Sequence, residues 1–181
     1  CVVLGVAPRP SVRRWYQSRL LDRGDKGKQA ALASLFSGMG GKGVFEEAQE
    51  RFKLLAFSSP STSLELPGLS AAGQSEPGDI QLRKKTTRAE LGCANSFFVS
   101  HSWHDSRQAK WDALCRFASE CTSVEQVEPL LWLDAACVDD DVASSLALLP
   151  VYAGGCQQFL MLIGNTYVNR LWCVIELFCY L

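Results

Sequence analysis

Three short apolar runs most constrain what this chain can fold into: Ser96 to Trp103 (opening Ser-Phe-Phe-Val), Pro129-Leu-Leu-Trp-Leu-Asp134, and Phe159-Leu-Met-Leu-Ile-Gly164. Each has the length of a strand, and none is long enough to cross a membrane. The segments between and after them carry helical periodicity. Lys110 to Cys121 places Trp111, Leu114, Cys115, Phe117 and Ala118 on one apolar side, and a second helix is expected from Val142 to about Val151. A third follows the turn residues Gly164, Asn165 and Asn169. The order βαβαβα with short connections predicts a parallel sheet with helices on its faces.

Polar residues gather where each run ends. Ser100, His101, Ser102, Trp103 and Asp105 follow the first run, Asp134 and Cys137 the second, and Asn165 the third. In a parallel sheet these ends share one edge, which is where an open α/β sheet places its ligand crevice. The last helix adds Arg170, Trp172 and Glu176 to that edge. On it Leu171, Val174, Ile175, Phe178 and Leu181 fall on one face, leaving Trp172, Glu176 and Tyr180 spaced four apart along the flank. Arg170 stands in the first turn, where the helix dipole disfavours a cation, so an anionic group is expected to hold it. A glutamate in this position is ordinarily solvated and a tryptophan at such a junction ordinarily packs. It is their convergence on one edge with the strand-end residues that favours a site. His101, His104 and Asp105, helped by Asp134 and the acidic loop Asp139-Asp140-Asp141, offer donors to a metal. No third nitrogen or sulfur ligand stands at a usual spacing, so no metal is expected.

The net charge of −1 hides an asymmetry: residues 1–90 carry 14 Lys/Arg against 9 Asp/Glu, and residues 91–181 carry 4 against 10. The two halves are therefore read separately. Residues 1–57 are expected to form a helical region, with helices at 12–22, at 28–36 and from Phe45 to Phe57, the last with Phe45, Ala48, Phe52 and Leu55 on one face. Gly38-Met-Gly-Gly-Lys-Gly43 lacks the order of a phosphate loop and is read as a turn. Residues 58–90, rich in Ser, Pro and Gly and then basic, are read as a linker. Neither half is patterned for nucleic acid. Eight cysteines without a C-x-x-C pair sit inside apolar patterns. They are read as small buried hydrophobes of a cytoplasmic protein, with no signal peptide or transmembrane segment expected.

Three motifs, in this order, resemble a known superfamily. Phe-Phe-Val-Ser-His-Ser-Trp-His-Asp105 resembles the first strand and loop of Toll/interleukin-1 receptor (TIR) domains. Trp172-Cys-Val-Ile-Glu176-Leu is similar to the Trp-Cys-x-x-Glu-Leu that opens the third helix of plant-type TIR domains. Leu131-Trp-Leu-Asp-Ala-Ala-Cys-Val-Asp139 and Arg170-x-Trp-x-x-x-Glu176 are similar to signatures of fungal heterokaryon-incompatibility domains, distant relatives of TIR domains. The resemblance covers residues 91–181. The loop after the second strand lacks the Arg-Gly pattern of plant TIR domains, and Ile175 stands where the fungal signature has Gln. It implies a flavodoxin-like parallel sheet that continues past the last residue, and a signalling domain that forms homo-oligomers. It also implies NAD⁺ as substrate, cleaved at the nicotinamide–ribose bond, with no cofactor beyond it. Carried over residue by residue, the resemblance makes Glu176 the catalytic carboxylate. Ser100, His101, Trp103, Asp105, Asp134, Arg170 and Trp172 are the expected substrate-binding residues, with Trp103 or Trp172 stacking on a flat ring and Arg170 pairing with the pyrophosphate. A non-enzymatic self-association module is the alternative.

Overall fold

The computed structural model describes residues 3–6, 42–57, 77–138 and 142–180. The helices expected at 12–22 and 28–36, residues 38–41 of the glycine-rich break, residues 58–76 and the acidic loop 139–141 lie outside the described residues. In chain order the elements are strand β1 (Val3–Val6), helix α1 (Lys42–Arg51), β2 (Lys53–Ala56), α2 (Pro77–Arg83), β3 (Thr86–Arg88), β4 (Ser96–His101) and α3 (Arg107–Glu120). There follow β5 (Leu130–Trp132), α4 (Asp134–Cys137), α5 (Val142–Ala147), α6 (Leu149–Gly155), β6 (Gln158–Ile163) and α7 (Leu171–Tyr180). A π-helical turn, Cys121–Glu125, extends α3, and a 3-10 turn, Tyr167–Asn169, precedes α7.

The six strands of the described residues lie in one mixed sheet in the order β1-β6-β4-β5-β2-β3. The three expected strands are its centre and are parallel: β4 pairs with β5 from Ser96↔Leu130 to Phe98↔Trp132, and with β6 from Phe97↔Gln158 to His101↔Leu162. The outer pairings, β1 with β6, β2 with β5 and β3 with β2, are antiparallel. The sheet thus takes strands from the residues read as helical and as linker, and it is mixed where a wholly parallel one was expected. The helix expected from Phe45 to Phe57 ends at Arg51. Leu54 and Leu55 are both buried although adjacent, which a strand covered on both faces allows. The three-residue spacing of Phe52 and Leu55 had continued the helical pattern by coincidence. Within the stretch read as linker, α2 and β3 add Leu82 to the core and a strand to the sheet edge.

Successive residues of β4 serve opposite layers, as the pleat requires. On one face Phe98 stacks on Trp132 of β5 (ring centroids 4.7 Å, 7° between planes) and on Phe159 of β6 (5.4 Å, 12°). Helices cover this row: Tyr152 of α6 lies against Trp132 and against Phe52, and Tyr180 of α7 lies against Phe159. On the other face Phe97 meets Phe117 of α3 edge-on (5.0 Å, 78°), and Trp111 of the same helix meets Phe57 (5.4 Å, 81°).

The rotation of α7 reverses the order of its faces. Cys173, Glu176 and Tyr180 are buried, whereas Leu171 and Phe178 are 74% and 73% exposed and Val174 and Ile175 are also exposed. The reason lies in fixed partners beneath the helix. The Tyr180 hydroxyl donates to the Gln157 carbonyl at 3.1 Å, and its ring packs on Phe159. Among the described residues no helix is long and apolar enough to cross a membrane.

Phe98 holds three strands through one ring. Phe98→Ala is expected to destabilise the fold by about 3–5 kcal/mol, whereas Phe178→Ala on the exposed face of α7 stays within about 0.5 kcal/mol. Urea denaturation of the two variants checks the contrast.

Candidate functional site

The downstream ends of β4, β5 and β6 lie on one edge, as parallel pairing dictates, and the loops that leave them are bonded together. After His101 the chain turns through Ser102 to Asp105, whose amide donates to the Ser102 carbonyl at 3.3 Å. Ser106 then caps α3, its hydroxyl accepting from the Ala109 amide at 3.3 Å. The loop after β6 meets this turn at Thr166. The Thr166 amide and hydroxyl both donate to Asp105 Oδ1 at 3.0 Å, and its hydroxyl lies 2.6 Å from that of Ser102. Asp105 Oδ2 is buried with no hydrogen-bond partner among the described residues, against Gly164, where a Cβ would overlap the carboxylate. Gly164 is thus a glycine for want of space.

The alternation of β4 divides the remaining site residues into two adjoining clusters. Ser100 projects toward α7. The Tyr167 and Ser100 hydroxyls are 2.8 Å apart, and Ser100 donates to Glu176 Oε2 at 2.5 Å, so the proton chain runs Tyr167 to Ser100 to Glu176. Glu176 is 4% exposed. Burial pushes its carboxyl up to about 8, against the hydrogen bond from Ser100. The charge of Asp134 raises it further, and a hydrogen bond from Trp172 lowers it. At neutral pH Glu176 is therefore mostly protonated. Burial likewise raises the Tyr167 hydroxyl and the Cys173 thiol, each to about 12, so both keep their protons. The Cys173 thiol donates to the His101 carbonyl at 3.4 Å and ties α7 to the tip of β4.

His101 projects the other way, toward α3. Its Nε2 lies 2.9 Å from Asp134 Oδ1, and its Nδ1 lies 3.4 Å from Lys110 Nζ, which also donates to the Ser102 carbonyl at 2.9 Å. Asp134 begins α4 directly after β5; its Oδ1 also accepts from the Ala135 amide at 2.7 Å, and its Oδ2 from the Trp103 indole at 2.9 Å. Burial alone raises the Asp134 carboxyl, but the neighbouring His101 and the hydrogen bonds from His101, Trp103 and Ala135 outweigh it and hold the carboxyl below its ordinary value. Both ring nitrogens of His101 are engaged, and among the described residues no hydroxyl or thiol bonds to either, unlike the arrangement of a hydrolytic triad.

Of the residues singled out from sequence, Ser100, Trp172 and Glu176 form one cluster and His101, Trp103 and Asp134 the other. Asp105 is committed to Thr166 between the loops. Arg170 is half-buried and reaches exposed His104, its NH1 2.7 Å from the imidazole Nε2. Sequence reasoning missed Lys110, Thr166 and Tyr167. Lys110 did carry a signal: it stands four residues before Leu114 on the apolar side of α3, a place where a lysine is buried only if paired. Among the described residues no group of three or more His, Cys, Asp or Glu could hold a metal ion.

Two outcomes follow from this geometry. Glu176 binds its proton more tightly folded than unfolded, so its contribution to stability is full below pH 4.5 and is lost as pH rises through about 8. Glu176→Gln, which keeps a neutral side chain of the same shape, is expected to match wild type in urea midpoint at pH 5 and exceed it at pH 9. Gly164→Ala is expected to displace the Asp105 carboxylate from Thr166 and destabilise by about 1–3 kcal/mol, measured by thermal unfolding. Comparison of the chain with protein-family models, curated proteins and solved structures finds no match.

Proposed function

We propose that this chain is a TIR-like, flavodoxin-like signalling domain of the cytoplasm that cleaves NAD⁺ at the nicotinamide–ribose bond, with Glu176 as the catalytic carboxylate. The observation that carries the reading is the placement of Glu176: a buried carboxyl at the downstream tip of the central parallel strand, hydrogen-bonded to Ser100 and Trp172. A carboxyl buried without a cation beside it favours the neutral form. The nicotinamide of NAD⁺ is a cationic pyridinium, so its arrival next to Glu176 favours loss of the carboxyl proton to solvent and leaves a carboxylate at the place where positive charge passes to the ribose. The C–N bond then breaks with its electron pair going to the nicotinamide nitrogen. Nicotinamide leaves neutral, and the carboxylate stabilises the oxocarbenium-like ribose. Water adds at the ribose carbon and a proton is released. The Trp103 indole provides a flat surface for stacking, and Arg170, beside exposed His104, is available to a pyrophosphate.

A second reading, self-association without catalysis, is favoured by the outward apolar face of α7, where Leu171, Val174, Ile175 and Phe178 line one side of the helix. Homo-oligomers formed through this face are compatible with catalysis. Light scattering of wild type and Phe178→Glu tests the contact: the wild-type mass is expected to rise with concentration and that of the variant to stay monomeric.

Catalysis is tested by nicotinamide release from NAD⁺. Glu176→Gln is expected to lose at least about a hundredfold in rate, and equal turnover by the two proteins would falsify the assignment. For wild type, kcat/KM, which reports the free enzyme, is expected to rise about tenfold per pH unit below about 8 and then level off. The plateau in kcat should arrive at lower pH, because the bound cation favours the ionised carboxyl.

A further inference from the structure

Lys110 is 1% exposed, and the NAD⁺ reading leaves it without a role. A lysine taken wholly out of water is costly unless each hydrogen it directs inward meets an acceptor. Nζ donates to the Ser102 carbonyl at 2.9 Å, and 3.4 Å away stands His101 Nδ1. On the far side of the imidazole, Nε2 faces Asp134 Oδ1 at 2.9 Å, and Asp134 Oδ2 accepts from the Trp103 indole at 2.9 Å. These contacts form one chain across α3, β4, α4 and the loop after β4: Lys110 donates to His101, His101 meets Asp134, and Trp103 donates to Asp134 from the other side. Asp134 accepts here: its Oδ1 takes the Ala135 amide hydrogen at 2.7 Å and its Oδ2 the Trp103 indole hydrogen, the donor set of an ionised carboxylate. The His101 nitrogen that faces it must therefore bear the hydrogen. In a neutral imidazole that leaves Nδ1 bare and able to accept from Lys110.

We propose that Lys110 is a positioning residue for the candidate site. Its amine selects the tautomer of His101 that carries hydrogen on Nε2, and through Asp134 this chain fixes the Trp103 indole as the stacking surface for the flat ring of a nicotinamide nucleotide. The stacking role rests on the NAD⁺ reading; the tautomer and the indole bond do not. Without Lys110, Nδ1 loses its donor and the other tautomer becomes accessible. That tautomer turns a bare Nε2 lone pair toward an ionised carboxylate, and the imidazole then swings away or takes up a second proton. In either case Asp134 loses the bond that sets its plane, and the Trp103 indole loses a fixed acceptor.

Nitrogen-15 NMR of histidine- and tryptophan-labelled protein tests this without an activity assay. In wild type at neutral pH, His101 is expected to show a bare, pyridine-like Nδ1 and a protonated Nε2, with the Trp103 indole proton shifted downfield by its ionic acceptor. In Lys110→Met, which refills the volume without the donor, both signatures are expected to disappear while the dispersion of the remaining backbone amide signals persists. If that variant does not fold, the wild-type spectrum decides by itself: a protonated Nδ1 overturns the proposal. So does a folded Lys110→Met that leaves His101 and Trp103 unchanged. With NAD⁺, KM is expected to rise about tenfold in Lys110→Met with kcat within about twofold of wild type, because uniform binding is what a stacking surface supplies. Inactive wild type showing the expected spectra would remove the NAD⁺ reading and leave the tautomer assignment standing.

Discussion

β4 is hydrogen-bonded to a parallel neighbour on each side and buried on both faces, so none of its six side chains is free to choose an environment. Phe97 and Val99 belong to the layer under α3, and Phe98 to the layer under α6 and α7. The same alternation carries on past the apolar part of the strand. Ser100 must follow Phe98 and meet α7; His101 must follow Phe97 and Val99 and meet α3. Two polar residues adjacent in sequence are thereby given to opposite sides of the sheet, each at the tip where parallel pairing brings the loops together. The pleat sets this arrangement, and the polar partners on the helices are arranged around it.

The orientation of α7 shows what those partners are worth. Burying its apolar stripe in place of Glu176 would gain about 25 cal/mol for each Å² of Leu171, Val174, Ile175 and Phe178 removed from water. The helix forgoes that gain. In return Tyr180 packs on Phe159 and bonds to Gln157, Cys173 bonds to the end of β4, and Trp172 and Leu177 pack against the core. Glu176 enters the interior protonated, which removes most of the desolvation penalty of a charge. A carboxyl tolerated in this form remains responsive to any cation brought beside it.

The central strands were legible because continuous apolar runs bounded by turn residues have few alternative fates, and their parallel order follows from the helices between them. The outer strands were not. Lys53–Ala56 extends the periodicity of the helix before it, Thr86–Arg88 has three residues and no apolar pattern, and Val3–Val6 is apolar but carries no cue to an antiparallel partner at Leu160–Ile163. The edge of the site was legible for the same reason as the strands. Its division was latent in the period of two along Ser100-His101, yet reading it needs the knowledge that both faces are covered. The face of α7 was illegible in principle. Periodicity identifies a stripe; which stripe turns inward depends on Ser100, Gln157 and Phe159, far away in sequence.

Two of the carboxyls at this edge, Asp134 and Glu176, stand under opposite regimes. Asp134 is buried yet surrounded by His101, Trp103 and Ala135 as donors, so its charge is satisfied and permanent. Glu176 has Ser100 and Trp172, which do not compensate its burial, and the standing charge of Asp134 raises it further. Each carboxyl thus helps to define the other: ionisation of Asp134 is part of what keeps Glu176 protonated. Environments that push two neighbouring acids apart assign them different work. Asp134, unable to take a proton near neutrality, serves to orient the groups that donate to it. Glu176, pushed up to about 8, is the one whose charge would follow a cation brought beside it.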